Sequence, residues 1–151
     1  MRLEGKVAIV TGGGRGLGEA ICHTLAREGA HISVSDINVA DAERVTNAIK
    51  QMGRKAVAVK ADVSQASQVK AMMARTIEAL GTIDILVNNA GICYQGTVAE
   101  MPEEVWDKVL DVNLKGTFLC SREVMPTLKQ KKWGRNGWSP SAFQKTKPLT
   151  T

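Results

Sequence analysis

Val7-Ala8-Ile9-Val10-Thr11-Gly12-Gly13-Gly14-Arg15-Gly16-Leu17-Gly18 is the stretch on which the fold turns. Its first four residues form a short apolar, largely β-branched run, the pattern of a strand buried on both faces. Five glycines follow within positions 12–18, so the strand ends, the backbone turns tightly and a helix begins near Gly16. Glycine suits that turn for two reasons. A diphosphate reaches backbone N–H groups only where no Cβ intervenes, and the turn takes angles that other residues avoid. A strand, a glycine turn and a helix N-terminus together make an anion site. The alternative, a flexible loop, fits poorly between a buried strand and an amphipathic helix.

Outward from the turn, strands and helices alternate. Leu17, Ala20, Ile21, Thr24 and Leu25 recur at helical spacing, and Gly29 supplies the stop. Residues 31–35 read as a second strand. Residues 38–52 read as a helix with Asn38 as its cap, an Ala42, Val45, Ile49 and Met52 stripe, and Gly53 at its end. A third strand fits residues 56–59. Ser64 then caps a helix whose buried face is Val69, Met72, Met73, Ile77 and Leu80, ended by Gly81, and residues 83–87 form a fourth strand. A long helix starts from Pro102, whose missing N–H suits a first helical position, and Trp106, Val109, Leu110, Leu114 and Phe118 mark its apolar face. This alternation requires parallel pairing through right-handed crossovers, hence an α/β, doubly wound sheet in the order 3-2-1-4. A ligand belongs in the crevice at the carboxyl ends of strands 1 and 4.

Composition bounds the rest. The 151 residues, 44% of them hydrophobic, suit one globular domain with a real core. No apolar stretch is long enough to span a bilayer, and Met1-Arg2-Leu3-Glu4 has no signal-peptide character, so a cytoplasmic location is expected. Cys22, Cys93 and Cys120 have no Cys-x-x-Cys spacing, and His23 has no second ligand at a metal spacing, so neither a disulfide framework nor a metal site is expected. Cys93 reads as ordinary packing rather than a pocket residue. The net charge of +5 comes from the end of the chain, because residues 129–151 hold six basic residues and no acidic one. Lys129, Lys131 and Lys132 close a helix, where cations offset the exposed carbonyls, which is favoured here over nonspecific nucleic-acid binding.

Gly12, Gly16 and Gly18 follow Thr11 as Thr-Gly-x-x-x-Gly-x-Gly, a spacing that resembles the glycine motif of the short-chain dehydrogenase/reductase family. The resemblance continues in order through Asp36, Asp62-Val63, Asn88-Asn89-Ala90-Gly91, and Asn113 within Asp-Val-Asn-Leu-Lys-Gly, and covers about residues 3–134. It implies a Rossmann-type fold and a nicotinamide cofactor in contact with Gly12, Arg15, Gly16, Leu17, Gly18, Asp36, Asp62, Val63, Asn88, Asn89, Ala90 and Gly91. For Asn88 and Asn89, bracing the sheet is an equal alternative. The resemblance also implies self-association through the helix at 102–130, although an inward core stripe looks the same in sequence.

Asp36 ends the second strand where a carboxylate accepts hydrogen bonds from both hydroxyls of an adenosine ribose. A 2′-phosphate there faces a like charge, which at about 4 Å and an effective dielectric near 20 costs roughly 4 kcal/mol. NAD is therefore expected over NADP, with Arg15 as the cation able to offset the repulsion. Asp36 as a mere helix cap is the competing reading.

Beyond Arg135 the family pattern fails. Trp133-Gly134-Arg135 leads in the family to a fifth apolar strand carrying a catalytic serine, then to Tyr-x-x-x-Lys. Here Asn136-Gly137-Trp138-Ser139-Pro140-Ser141 follows, the only tyrosine is Tyr94, and Val98 stands four positions on. Of the family's four catalytic residues only Asn113 has a matching position, where satisfying backbone groups at a helix irregularity is an equal alternative. Losing a general acid typically costs about 10²–10⁴ in rate. The expectation is a truncated Rossmann domain at 1–134 and a polar tail at 135–151 that does not order itself. Strand 4 then becomes the edge, with Ile83, Ile85 and Val87 partly uncovered. The resemblance implies the lineage of an NAD(P)-dependent oxidoreductase acting on alcohols and carbonyls, and with Tyr-x-x-x-Lys missing the chain alone is expected to be inactive. The alternatives are a dinucleotide-binding module without turnover, and an interaction subunit that pairs with a full-length relative.

Overall fold

The computed structural model describes residues 1–131 and 134–138. Five strands, β1 (Val7–Thr11), β2 (His31–Asp36), β3 (Ala56–Lys60), β4 (Ile85–Asn88) and β5 (Arg135–Trp138), pair in parallel in the order β3-β2-β1-β4-β5. Helices α1 (Gly16–Arg27), α2 (Val39–Gln51) and α3 (Ala66–Leu80) make the crossovers. After β4 the chain runs through a 3₁₀ turn (Val98–Glu100), α4 (Glu103–Leu110), one π-helical stretch (Asp111–Lys115) and α5 (Gly116–Lys131). The chain is an α/β, Rossmann-type fold.

Both faces of the sheet are covered, because consecutive strand residues point to opposite sides. Ala8 and Val10 of β1 join Ile32, Val34, Leu25, Val45 and Ile49 in the core under α1 and α2. Ile9 joins Leu86, Val69, Met72, Leu119 and Val124 under α3 and α5. Ile9, Ile32, Ile49 and Leu86 are wholly buried, each contributing about 1.5–3 kcal/mol by leaving water.

The 3-2-1-4 order holds, but β4 is not its edge. Arg135–Trp138 pairs along Ile85–Asn88, and Ile83, Ile85 and Val87 are 0%, 2% and 4% exposed. This strand has no apolar pattern; backbone pairing and side-chain bonds from Asn88 hold it instead. Lys132, Trp133 and residues 139–151, with Ser139, Pro140 and Ser141 among them, lie outside the described residues.

Other local readings shift for identifiable reasons. Asn38 caps α2, its side-chain oxygen accepting from the Ala40 N–H at 3.2 Å. Ser64 does not cap α3, because Asp62 Oδ1 takes both its N–H (2.9 Å) and its hydroxyl (2.7 Å), and the helix begins after Gln65. The core side of α1 is Gly18, Cys22, Leu25 and Ala26, while Leu17 faces out beside the glycine turn. Met52 and Ile77 are also exposed, and Thr76 takes the buried place on α3, its hydroxyl 2.7 Å from that of Ser33. Pro102 precedes α4 as its N-cap rather than its first residue. Trp106, Leu110, Leu114 and Phe118 face outward; the core side of α5 is Leu119, Cys120, Val124 and Leu128. Cys93 is exposed rather than packed, whereas burial pushes the thiols of Cys22 and Cys120 up to about 12. His23 is half-buried beside Glu19, 3.8 Å away.

Candidate functional site

A cleft of about 920 Å³ opens at the carboxyl ends of the central strands, the place where parallel α/β sheets leave a crevice. The glycine turn forms one wall. Gly12 at φ +62° and Gly16 at φ +56° take left-handed angles. A Cβ on Gly12 would lie 2.9 Å from Ala90 Cα, so the turn and the segment after β4 touch backbone to backbone. A Cβ on Gly16 would meet nothing within 4 Å, so that side of the turn opens outward. α1 starts here. Its Glu19 N–H reaches Arg15 O at 3.3 Å, and the amides of Gly16, Leu17 and Gly18 before it have no in-helix acceptor. With the positive end of the helix dipole behind them, these groups fit a diphosphate.

Thr11 ties the turn to β4. Its hydroxyl donates to Val87 O (3.3 Å) and accepts from the N–H groups of Asn89 (3.0 Å) and Ala90 (3.1 Å). The Asn89 amide then donates to Thr11 O and Gly12 O, each at 3.0 Å. Asn89 thus braces the turn and also lines the cleft, with Ala90 and Gly91 beside it.

Asp36 lines the same cleft at the end of β2. Its Oδ2 accepts from the Gly14 N–H at 2.9 Å and its Oδ1 from the Asn38 N–H at 3.0 Å. The helix cap is Asn38, so the Asp36 carboxylate is held by backbone at the mouth of the cleft rather than used as the cap. Asp62 and Val63 lie on the floor, and Gly116 is small because a Cβ there would come within 2.7 Å of Val63 Cγ2.

Eleven of the twelve residues assigned to cofactor contact from sequence, Arg15 and Leu17 among them, line the cleft; Asn88 does not. Asn88 is 4% exposed, and its amide donates to Asn136 Oδ1 at 3.0 Å and toward Ser121 Oγ at 3.3 Å, so it braces β5. Asn113 also lies off the lining. Its carboxamide accepts from the Ile92 N–H (2.9 Å) and donates to Ile92 O (2.8 Å), while Thr117 bonds its carbonyl across the π-helical stretch. It pins the segment after β4 to the helix. Sequence reasoning missed Ile37, Ser64, Gln65 and Ile92, which follow strand ends, and the rim of Glu104, Asp107, Lys108 and Asp111 on and beside α4. Adjacency to Asp36 and Gly91 was the available signal for Ile37 and Ile92; charges on a helix read as a solvated face. Among the described residues no cluster of His, Cys, Asp or Glu is arranged to hold a metal.

Fold and cleft together define a protein of the doubly wound, Rossmann-type α/β class. The short chain dehydrogenase family model matches residues 6–135, and the chain belongs to that family. It is 41% identical to an uncharacterized oxidoreductase of Bacillus subtilis over 84% of this chain and 47% of that protein. It is 39% identical to a 2,3-dihydro-2,3-dihydroxybenzoate dehydrogenase of Bacillus subtilis, over 87% of this chain and 51% of the relative. A 3-oxoacyl-[acyl-carrier-protein] reductase of Staphylococcus epidermidis is also 39% identical, over 85% and 53%. The chain spans about half the length of these relatives.

Proposed function

We propose that this chain binds NAD in the cleft between the glycine turn and the segment after β4, and that alone it holds the cofactor without turning over a ketone or alcohol. The carrying observation is Asp36, a carboxylate fixed by two backbone N–H groups at the cleft mouth, suited to a ribose diol and opposed to a 2′-phosphate. The amides of Gly16, Leu17 and Gly18 would hold the diphosphate, Asp62 and Val63 would border the adenine, and Asn89, Ala90 and Gly91 would run along the cofactor. Bound there, the nicotinamide supplies or accepts hydride. The chain's sequence holds no Tyr-x-x-x-Lys to deliver the proton, and Asn113, the one matching catalytic position, is engaged with Ile92. Calorimetry is expected to give tighter binding of NAD⁺ than of NADP⁺, and NADH with simple ketones is expected to show no turnover. Tighter NADP⁺ binding, or robust ketone reduction by the 151-residue chain, overturns the reading.

A pairing role has its own support. Trp106, Leu114 and Phe118 are 51%, 65% and 56% exposed on one long helical face, and Arg122 lies 5.1 Å over the Phe118 ring. Apolar surface of this kind marks an interaction site. The face over 102–130 fits a second copy of the chain or a full-length relative. Phe118→Asp is expected to convert a dimer to a monomer in gel filtration; a monomeric parent, with or without the relative, removes the proposal. No helix among the described residues is long and apolar enough to cross a membrane. A cytoplasmic location belongs to this reading, and cell fractionation checks it.

A further inference from the structure

Gly14 is gripped on both sides. Its N–H donates to Asp36 Oδ2 at 2.9 Å, and its carbonyl accepts from Arg44 Nη2 at 2.9 Å. Arg44 is fixed in turn by a fork on Glu19, Nη1 to Oε1 at 2.7 Å and Nη2 to Oε2 at 2.8 Å, the two-pronged geometry in which guanidinium and carboxylate orient each other best. Glu19 stands on α1 and Arg44 on α2, so the chain of bonds crosses from helix to helix over the glycine turn. The turn has no slack at this point. A Cβ on Gly14 would lie 2.8 Å from Asp41 Cβ, 2.9 Å from Asp36 Oδ2 and 3.1 Å from Ala42 N.

Asp36 therefore inherits its orientation from two backbone donors, Gly14 and Asn38, and Gly14 inherits its place from Arg44. We propose that Arg44 is a positioning residue for cofactor selectivity: through Gly14 it aims the Asp36 carboxylate at the adenosine ribose, and Glu19 holds Arg44 there. The inference rests on reading the cleft as an NAD site. Arg44 is not part of the cleft lining, so its effect on the cofactor is transmitted through the turn. The Arg44 guanidinium holds the Glu19 carboxyl below its ordinary range, which fits a persistent pair. The consequence is asymmetric. A ribose diol uses the Asp36 carboxylate and a 2′-phosphate is repelled by it, so mis-aiming Asp36 harms NAD⁺ and spares NADP⁺.

Kd values for NAD⁺ and NADP⁺ are measured by calorimetry on the 151-residue chain and on Arg44→Met, Arg44→Lys and Glu19→Gln, with thermal midpoints alongside. Arg44→Met is expected to weaken NAD⁺ roughly tenfold, the scale of one lost charge-assisted hydrogen bond, with NADP⁺ changed less than about twofold. Glu19→Gln is expected to shift the ratio the same way by a smaller factor, and Arg44→Lys, which keeps a cationic donor but loses the two-pronged fork, to restore part of it. Equal losses for both cofactors with a lowered midpoint mean a structural role and overturn the inference, as does an unchanged ratio. If Arg44→Met does not fold, Glu19→Gln carries the same comparison. A parent chain that binds neither cofactor overturns the cleft reading itself, whereas a parent that binds NAD⁺ beside variants of unchanged ratio overturns only the role of Arg44.

Discussion

Asp84→Ala is expected to lower the free energy of unfolding by about 3 kcal/mol, the low end of the range for removing one partner of a buried ion pair. Asp84 is 2% exposed and lies where three elements meet. Its Oδ2 accepts from the Val7 N–H at 2.9 Å at the start of β1, and its Oδ1 pairs with Lys131 Nζ at the end of α5. Its backbone N–H donates to Val7 O at 2.8 Å, and its carbonyl accepts from the Arg135 N–H at 3.0 Å at the start of β5. Alanine keeps the backbone bonds and removes both side-chain ones. A buried N–H then loses its acceptor and an ammonium loses its counter-charge. Lys131 is 35% exposed and also bonds Thr82 Oγ1 at 3.0 Å. Water therefore screens part of the loss, which is why the low end of the range applies. Asp84→Asn, which keeps an acceptor for Val7, is expected to cost less. Urea unfolding at fixed protein concentration measures both, and a change under about 0.5 kcal/mol for Asp84→Ala would sink the assignment of this carboxylate as the node joining β1 and α5.

Nothing in the sequence announced that node, and the reason is physical. Local devices were readable because their causes are local: the glycine turn after an apolar run, Asn38 two residues before the amide it caps, and Gly29, Gly53 and Gly81 at positive φ after their helices. Asp84 and Lys131 are 47 positions apart, and each alone looks like a solvated charge. The fifth strand was missed for a related reason. Arg135-Asn136-Gly137-Trp138 carries no alternation, and its place is set by the register of β4 and by the Asn88 amide reaching Asn136. The face of the long helix was readable as apolar but not as inward or outward. That choice is set by which side of α5 packs on the sheet, here Leu119, Cys120, Val124 and Leu128. In the site, the turn and Asp36 were legible as neighbours, because in a parallel sheet the end of the second strand lies beside the turn that follows the first, where the Gly14 N–H meets Asp36 Oδ2. The Glu19 to Arg44 fork was not, since i and i+25 give no pattern.

Gly18→Ala is expected to abolish dinucleotide binding, measured as at least a hundredfold weaker Kd for NADH by fluorescence or calorimetry, and to lower the thermal midpoint. Its Cβ would lie 1.9 Å from Gly12 O and 2.6 Å from Asn89 Nδ2, and the first of these is backbone that cannot swing aside. Relief requires the first turn of α1 to move away from Gly12. That displaces the amides proposed to hold the diphosphate and pulls on the Asn89 bonds to Thr11 O and Gly12 O. Overpacking of this kind costs about 1–3 kcal/mol or more. Gly16→Ala is the informative contrast, because its Cβ meets nothing within 4 Å and only the φ of +56° resists the side chain. A single left-handed alanine costs about 1–2 kcal/mol, so Gly16→Ala is expected to fold with a modestly lower midpoint and a smaller loss of affinity. A reversed order, with Gly18→Ala still binding and Gly16→Ala unable to bind, would mean that open space at Gly16 rather than contact at Gly18 governs the cradle, and the close packing of α1 on Gly12 would lose its functional meaning.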